Sequence, residues 1–322
     1  MQLAQKLLKD DLDRIEGCFR QYLTSDVPLI RQMSDHILSS GGKRIRPVLL
    51  LLCVRLSGYA GDHQYALASI IEFIHTATLL HDDVIDGAPL RRGQVSANAA
   101  WGNEVAVLVG DYLFARCFEL MVDFCDRRIM KVLAGTTSLM AQGEVVQLMN
   151  SGDLSLDEER YLSVVRSKTA ALFSATCRCS AILGQLPRDR EEDLAAFGMD
   201  LGVAFQLVDD ALDYVADQNE SGKLLGRDLE EGKMTLPLIH ALRRCLTEER
   251  EQVSVIFSKE HLHADDLGFV QNLITRYDGI DYTRQRASYY VKQAIARLAA
   301  FPDSLARQAL VELAESATHR RY

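Results

Sequence analysis

Apolar residues recur at helical spacing along almost the whole chain, and no segment shows the strict alternation of a half-buried strand. Prolines such as Pro47, Pro89 and Pro237 fall where helices begin or end. No linker or solenoid repeat interrupts the series, so we predict one all-α domain spanning residues 1–322. The predicted helices are 3–17, 26–39, 44–57, 63–86, 95–100, 103–123, 127–149, 157–184, 190–216, 234–246, 249–258, 263–275, 278–300 and 304–318.

Composition narrows the class of protein. The chain has 322 residues, 48% of them hydrophobic, which is ample for a large core. A net charge of -9 argues against a nucleic-acid surface. Seven scattered cysteines and no signal-peptide pattern favour a reducing compartment, and the longest apolar run is far short of the roughly 20 residues of a membrane helix. We therefore expect a soluble, cytoplasmic protein.

Two aspartate clusters lie inside apolar segments, Ile71–Asp86 and Val203–Val215. At 100° per residue, the first and last aspartates of each cluster share a helix face, and the middle one sits about a quarter-turn round. One such cluster is more often a solvated acidic face, but two in buried helices would repel strongly. Oxygen ligands suit Mg²⁺ rather than zinc. We predict that the clusters face each other across a cavity and hold divalent cations: Asp82, Asp83, Asp86, Asp209, Asp210 and Asp213.

Basic residues complete the pattern of a site for an anionic substrate. A pair stands at a helix start behind two glycines, another pair follows the first aspartates, and single lysines accompany the second cluster. His75 lies two turns before Asp82 on the same face. Taken alone, a Gly-Gly-Lys-Arg turn is usually a surface cap, and a lone histidine is usually a core residue. The basic residues are Lys43, Arg46, Arg91, Arg92, Lys168, Lys223 and Lys233.

The order and spacing of these motifs resemble the trans-type prenyl diphosphate synthases. The resemblance covers about residues 40–237 and rests on Gly41–Pro47, the first aspartate motif with Arg91-Arg92-Gly93, Lys168-Thr169, Phe205-Gln206 before the second motif, and Gly232–Pro237. The segments Ile74–Asp83 and Gly143–Asn150 are most similar to bacterial octaprenyl diphosphate synthases. The resemblance implies a bundle of antiparallel helices around a deep central cavity, of the isoprenoid synthase type, usually in a homodimer.

The resemblance also implies residue roles. The six aspartates would hold about three Mg²⁺ ions, which Mn²⁺ can replace, on an allylic diphosphate. Arg91, Lys168, Lys223 and Lys233 would bind that diphosphate. Isopentenyl diphosphate would bind to Lys43, Arg46, His75 and Arg92, with Phe205 lining its pocket. Lys168, Thr169 and Gln206 would stabilise the developing cation.

Product length depends on residues just before the first aspartate cluster. Ala77 and Thr78, five and four positions before Asp82, are small where shorter-chain synthases of this family carry Phe or Tyr. We expect an open tunnel, with Phe118 and Met121 as candidates for its floor, although both also suit an ordinary core. The product would have about eight isoprene units, in a range of roughly seven to ten, by family analogy. Such an apolar product would bring the enzyme into peripheral contact with a membrane.

Three alternatives stay open. A shorter-chain farnesyl or geranylgeranyl synthase would share the same catalytic motifs. A class I terpene cyclase normally carries an Asn/Ser/Glu-type second metal motif and needs no second diphosphate site. A non-catalytic synthase subunit would be expected to lose some of the aspartates or arginines, and this chain keeps them. Quinone side chains are the expected end product by family analogy alone.

Overall fold

The computed structural model of the protein describes residues 2–39, 44–91, 93–215, 226–259 and 262–318. The first half contains α1 (Gln2–Tyr22), α2 (Pro28–Ser39), α3 (Ile45–Ser57), α4 (His63–Ile85), β1 (Leu90–Arg91), β2 (Gln94–Val95), α5 (Ala97–Trp101), α6 (Asn103–Phe124) and α7 (Arg127–Met149). The second half contains α8 (Glu158–Val165), α9 (Ala171–Leu183), α10 (Arg188–Asp213), α11 (Arg227–Glu230), α12 (Leu236–Leu242), α13 (Thr247–Phe257), α14 (Ala264–Arg276), α15 (Gly279–Arg297) and α16 (Leu305–Thr318). The prediction of an all-α protein is confirmed.

The structure differs from the predicted helices in a few places. One turn of π-helix, Arg166–Ala170, joins α8 to α9, so the helix predicted at 157–184 is continuous but locally widened. The short strands β1 and β2 pair antiparallel, with Arg91 opposite Gln94, which periodicity cannot reveal because two-residue strands are too short to alternate. α11 is a single turn, too short for the helical spacing of apolar residues to predict it.

The described chain falls into two compact units. Unit 1 comprises Met1–Thr137, Ser174–Ala195 and Leu298–Leu313; unit 2 comprises Ser138–Phe173, Ala196–Arg297 and Ala314–Tyr322. That the units form a single domain stays a prediction. No helix of the described residues is both long and apolar enough to cross a membrane.

Unit 1 is built around α4. This helix is buried continuously from Gln64 to Ile74, and it packs chiefly against α6, with α1 and α3 on other sides. Burying each leucine, isoleucine or phenylalanine contributes about 1.5–3 kcal/mol. A helix enclosed in this way is a rigid support for the aspartates at its C-terminal end.

Unit 2 holds the π segment between two glycines. A Cβ on Gly202 of α10 would lie 2.6 Å from Ala170 Cα, and one on Gly143 of α7 would lie 2.9 Å from the backbone nitrogen of Lys168. The two helices therefore approach the π segment more closely than any side chain would permit. In unit 2, α12 packs against α14 and α15.

We predict that Gly202→Ala lowers the free energy of unfolding by about 1–3 kcal/mol, because the added methyl overlaps Ala170 backbone atoms that cannot move aside. Gly135→Ala is the matched control: this helical glycine of α7 has no atom within 4 Å of an added Cβ, and alanine there stabilises a helix by about 0.5–1 kcal/mol. Urea unfolding measures both. Wild-type stability in Gly202→Ala would contradict the close packing.

Candidate active site

The first aspartate cluster ends α4 in unit 1. Asp82 and Asp86 are half-buried, whereas Asp83 is only 2% exposed. The Asp86 N–H donates to the Asp82 carbonyl at 2.8 Å, which closes the last helical turn. The difference in burial agrees with the quarter-turn between Asp83 and its neighbours. The cluster thus offers two accessible carboxylates above a buried one.

The buried carboxylate of Asp83 is held by Arg91. Arg91 Nε lies 2.6 Å and 2.8 Å from the two oxygens, and its Nη2 lies 2.5 Å from Oδ1. The hairpin of β1 and β2, which turns through Gly93 at a positive φ of 75°, carries Arg91 back over the end of α4. This charge-assisted pair compensates the desolvation of Asp83. Arg91, predicted to bind a diphosphate, already has an anionic partner in this structure.

A cavity of about 60 Å³ lies beside this pair within unit 1. His75 is one of its polar lining residues, as are Arg44 and Glu72. Arg44 Nη1 donates to Glu72 at 2.8 Å and its Nε to Glu16 at 3.2 Å, and Arg44 adopts a left-handed φ of 45°. Sequence reasoning missed the ion pair of Arg44 with the buried Glu72. The signal was Glu72, a lone acid within an apolar stretch of α4.

The residues predicted to shape a product tunnel differ in how far they are buried. Ala77 is fully buried, Thr78 is half-buried with its hydroxyl donating to the His75 carbonyl at 2.8 Å, and Met121 is 4% exposed. Phe118 is 57% exposed in the single chain. Since Phe118 and Met121 are three residues apart on α6, their side chains diverge by about 60°. Unit 1 therefore encloses Met121 but not Phe118, and their role as the floor of a tunnel stays a prediction.

The second aspartate cluster ends α10 in unit 2. Asp209 is exposed, Asp213 is half-buried, and Asp210 is 4% exposed. Asp210 accepts hydrogen bonds on both oxygens, one from the Tyr161 hydroxyl and one from Gln206 Nε2 at 2.7 Å. Asp213 Oδ2 accepts from the Asp228 N–H at 3.0 Å. The cluster repeats the arrangement of two accessible carboxylates beside a buried one.

Burial raises the pKa of Asp210 to about 7; the hydrogen bonds from Tyr161 and Gln206 oppose this shift, and the charges of Asp209 and Asp213 add to it. The pKa of Asp228 is also raised, by burial and then by Asp213 and Asp210. A sequence search for aspartate motifs misses Asp228 because it follows Asp213 by 15 residues.

The donor set suits a hard divalent cation. Every titratable side chain in the two clusters is a carboxylate, and a nearby cation would relieve the repulsion among them. Among the described residues, no group of three or more His, Cys, Asp or Glu side chains is arranged to hold a metal ion by itself. Mg²⁺ usually keeps several waters and shares its coordination with substrate phosphates, so open carboxylate pairs fit it better than a closed cage.

The π segment places Lys168 and Thr169 in unit 2. Lys168 forms an ion pair with Glu144 of α7, and the Thr169 hydroxyl donates to Gln206 Oε1 at 2.9 Å. A π turn widens the helix and is common at functional sites. The structure therefore brings Thr169 and Gln206 together, and their role in stabilising a cation stays a prediction.

Two further residues predicted for the site also lie in unit 2. The Phe205 ring centroid lies 5.5 Å from that of Phe173. Lys233 pairs with Glu231 at 2.5 Å, and Arg227 contacts the same carboxylate at 2.5 Å. Arg46, predicted to bind isopentenyl diphosphate, is half-buried near the start of α3 in unit 1. Lys43, Arg92 and Lys223 lie outside the described residues.

Comparison with known proteins gives the class. The family model described as "Polyprenyl synthetase" matches residues 27–274. The chain is 42% identical to the octaprenyl diphosphate synthase of Escherichia coli (strain K12), covering 99% of each chain. It is 39% identical to the all-trans-nonaprenyl-diphosphate synthase (geranyl-diphosphate specific) of Rhodobacter capsulatus, over 96% of this chain and 95% of that one.

A solved structure agrees with these matches. The crystal structure of a polyprenyl synthase from Caulobacter crescentus CB15, complexed with calcium and isoprenyl diphosphate, matches with a TM-score of 0.96 and 41% identity, covering 100% of this chain and 98% of that one. The chain belongs to the polyprenyl synthetase family. Members of this family are prenyl diphosphate synthases that depend on divalent metal ions.

We predict that the metal-free protein loses stability as pH rises from about 4 to 7. The pKa of Asp210 is raised from 3.8 to about 7 on folding, so the folded state binds more protons in this window and the free energy of unfolding falls with pH. Asp210→Asn removes this contribution and flattens the profile, whereas Asp123→Asn, at an exposed position of α6, leaves it unchanged. Urea unfolding in chelator across this pH range measures the slopes. Identical slopes in wild type and Asp210→Asn would refute the prediction.

Proposed function

We propose that this protein condenses an allylic diphosphate, farnesyl diphosphate being the expected primer, with successive isopentenyl diphosphates to a long all-trans polyprenyl diphosphate. The observation that carries the proposal is the match along 99% of both chains to an octaprenyl diphosphate synthase. The paired carboxylates, basic residues and apolar helices of both units suit this chemistry.

The allylic diphosphate is bound through the two aspartate clusters and through Arg91, Lys168 and Lys233, with Lys223 as a fourth predicted contact. Bound Mg²⁺, about three ions by family analogy, supplies neutralisation of the diphosphate charge. With that charge neutralised, the allylic C–O bond ionises and its electron pair leaves with diphosphate. Surrounding apolar side chains exclude water, which would otherwise capture the cation.

The second substrate is bound by the residues near the start of α3 and along α4. Arg46 and His75, with Lys43 and Arg92, hold the isopentenyl diphosphate so that its double bond attacks the allylic cation. A new C–C bond forms, and the resulting tertiary cation loses a proton to the departed diphosphate. The product is an allylic diphosphate five carbons longer, so the cycle repeats.

Chain length is set by the space behind the first aspartates. Ala77 and Thr78 are small, and each turn of α4 rises about 5.4 Å, close to one isoprene unit. We favour about eight units, in a range of roughly seven to ten. We also propose a cytoplasmic homodimer that releases its product to a membrane for quinone side chains.

Product analysis tests the function. Purified protein, Mg²⁺, farnesyl diphosphate and labelled isopentenyl diphosphate are incubated, and the products are dephosphorylated and sized. The expected product has about eight units. Products of three or four units would instead identify a shorter-chain synthase, a cyclised hydrocarbon would identify a terpene cyclase, and absence of turnover would indicate a non-catalytic subunit.

We predict that Asp82→Ala or Asp209→Ala lowers turnover by at least roughly a hundredfold while the fold stays intact, since each removes a charged group acting on the leaving diphosphate. Asp123→Ala, at an exposed position of α6, is the control and keeps wild-type activity. Initial rates at saturating Mg²⁺ and circular dichroism are the measurements. Full activity in either cluster variant would remove the proposed site.

We predict that Ala77→Tyr shortens the product to about three or four units, because the ring projects one turn behind the aspartates. Ala77 is fully buried, so thermal unfolding must show that the variant folds. Thr78→Phe, at a half-buried position, is a second blocking variant, and Thr78→Ser is its unblocked control. Wild-type product length in folded Ala77→Tyr and Thr78→Phe would refute the tunnel.

A further inference from the structure

Each oxygen of the buried aspartate in the second cluster accepts a hydrogen bond from a protein side chain. Asp210 and Tyr161 are 4% and 5% exposed, and the Tyr161 hydroxyl donates to Asp210 Oδ2. Gln206 Nε2 donates to the other oxygen at 2.7 Å. Asp209 is exposed and Asp213 is half-buried. Asp210 therefore differs from the other two aspartates in being buried with both of its oxygens accepting hydrogen bonds.

These contacts fix the direction of a hydrogen-bond chain. Both oxygens of Asp210 accept hydrogen bonds, so Gln206 turns its NH₂ group toward Asp210 and its carbonyl oxygen away. That oxygen accepts the Thr169 hydroxyl at 2.9 Å. The Thr169 proton is thereby committed to Gln206, and the lone pairs of Thr169 Oγ1 remain for a partner on the opposite side of the hydroxyl. If the amide were reversed, its NH₂ group would face Thr169, and the Thr169 hydroxyl would accept a hydrogen bond instead of donating one.

The backbone holds the end of the chain in place. Thr169 lies in the π segment Arg166–Ala170, which the helices carrying Gly143 and Gly202 approach too closely to admit a Cβ. Gln206 and Asp210 are one turn apart on α10. Because every member sits on a packed helix, the position of the hydroxyl oxygen is set before any substrate binds.

We propose that Tyr161 and Asp210 are positioning residues that act through Gln206 to orient the Thr169 hydroxyl with its lone pairs toward the developing allylic cation. The inference rests on the proposed function. It gives Asp210 a different role from Asp209: Asp210 sets the polarity of a hydrogen-bond chain, whereas Asp209 holds metal. Tyr161, which belongs to no motif of the sequence, gains a role in the reaction.

Matched variants separate the two roles. Tyr161→Phe removes one hydroxyl and keeps the ring. Asp210→Asn keeps the shape of the side chain but replaces one acceptor oxygen with a donor NH₂ group. Asp209→Asn makes the same change at the neighbouring residue. Thr169→Val removes the hydroxyl and Thr169→Ser restores it. For each variant we would measure kcat, the KM for isopentenyl diphosphate, and Mn²⁺ affinity by electron paramagnetic resonance with a non-ionising thio analogue of farnesyl diphosphate bound.

The expected pattern is a kcat about tenfold to a hundredfold lower in Tyr161→Phe, Asp210→Asn and Thr169→Val, in the range usual for groups that orient a reactive residue. KM and Mn²⁺ affinity stay within about twofold of wild type, and Thr169→Ser recovers most of the rate. Asp209→Asn weakens Mn²⁺ binding at least about tenfold. Equal loss of Mn²⁺ affinity in Asp210→Asn and Asp209→Asn would overturn the proposal, as would a wild-type kcat in Tyr161→Phe.

A measurement without turnover keeps this test separate from the proposed function. The side-chain amide resonances of Gln206, assigned by their loss in Gln206→Leu, should shift in Tyr161→Phe and in Asp210→Asn but not in Asp123→Asn. If wild type makes no polyprenyl product, the proposed function fails. The resonances still decide whether hydrogen bonds link Tyr161 and Asp210 to Gln206. Unshifted resonances in both variants would overturn the inference.

Discussion

The cost of burying ionised carboxylates governs both units. An aspartate removed from water inside an apolar helix is strongly disfavoured unless a cation or several hydrogen-bond donors accompany it. Asp83 meets this requirement with the guanidinium of Arg91, and Asp210 meets it with Tyr161 and Gln206. The two solutions differ in kind. An ion pair leaves Asp83 with a compensated charge, whereas neutral donors leave Asp210 with a pKa raised to about 7.

Close backbone packing makes the second solution possible. Thr169 reaches Gln206 from a π turn, and this turn fits between its neighbouring helices only because Gly143 and Gly202 lack side chains. A regular α-helix would rotate the following residues by about 100° relative to the π form. The two glycines and the extra residue of the π turn therefore act together to set the direction of the Lys168 and Thr169 side chains.

Local patterns in the sequence predicted the helices and the faces of the aspartates, because both depend only on spacing along one helix. The partners of those aspartates could not be predicted in the same way. Tyr161 lies 49 residues before Asp210, and Arg44 lies 28 residues before Glu72. Such pairs depend on how helices pack, and a single sequence carries no record of it. The resemblance to a family supplied residue roles, yet it gave no indication that Tyr161 contacts the second cluster.

The proposed binding of the allylic diphosphate would be an exchange of partners. Three of the cations predicted to hold the allylic diphosphate already contact carboxylates: Arg91 with Asp83, Lys168 with Glu144, and Lys233 with Glu231. A diphosphate can displace the carboxylates from these side chains because it carries more negative charge than one carboxylate and offers several acceptor oxygens. Of the three displaced carboxylates, only Asp83 belongs to an aspartate cluster, and in the proposed site it would then be left for a divalent ion that arrives with the diphosphate. We therefore expect substrate and metal binding to be coupled at this pair, since a metal ion on Asp83 releases Arg91 and a diphosphate on Arg91 releases Asp83.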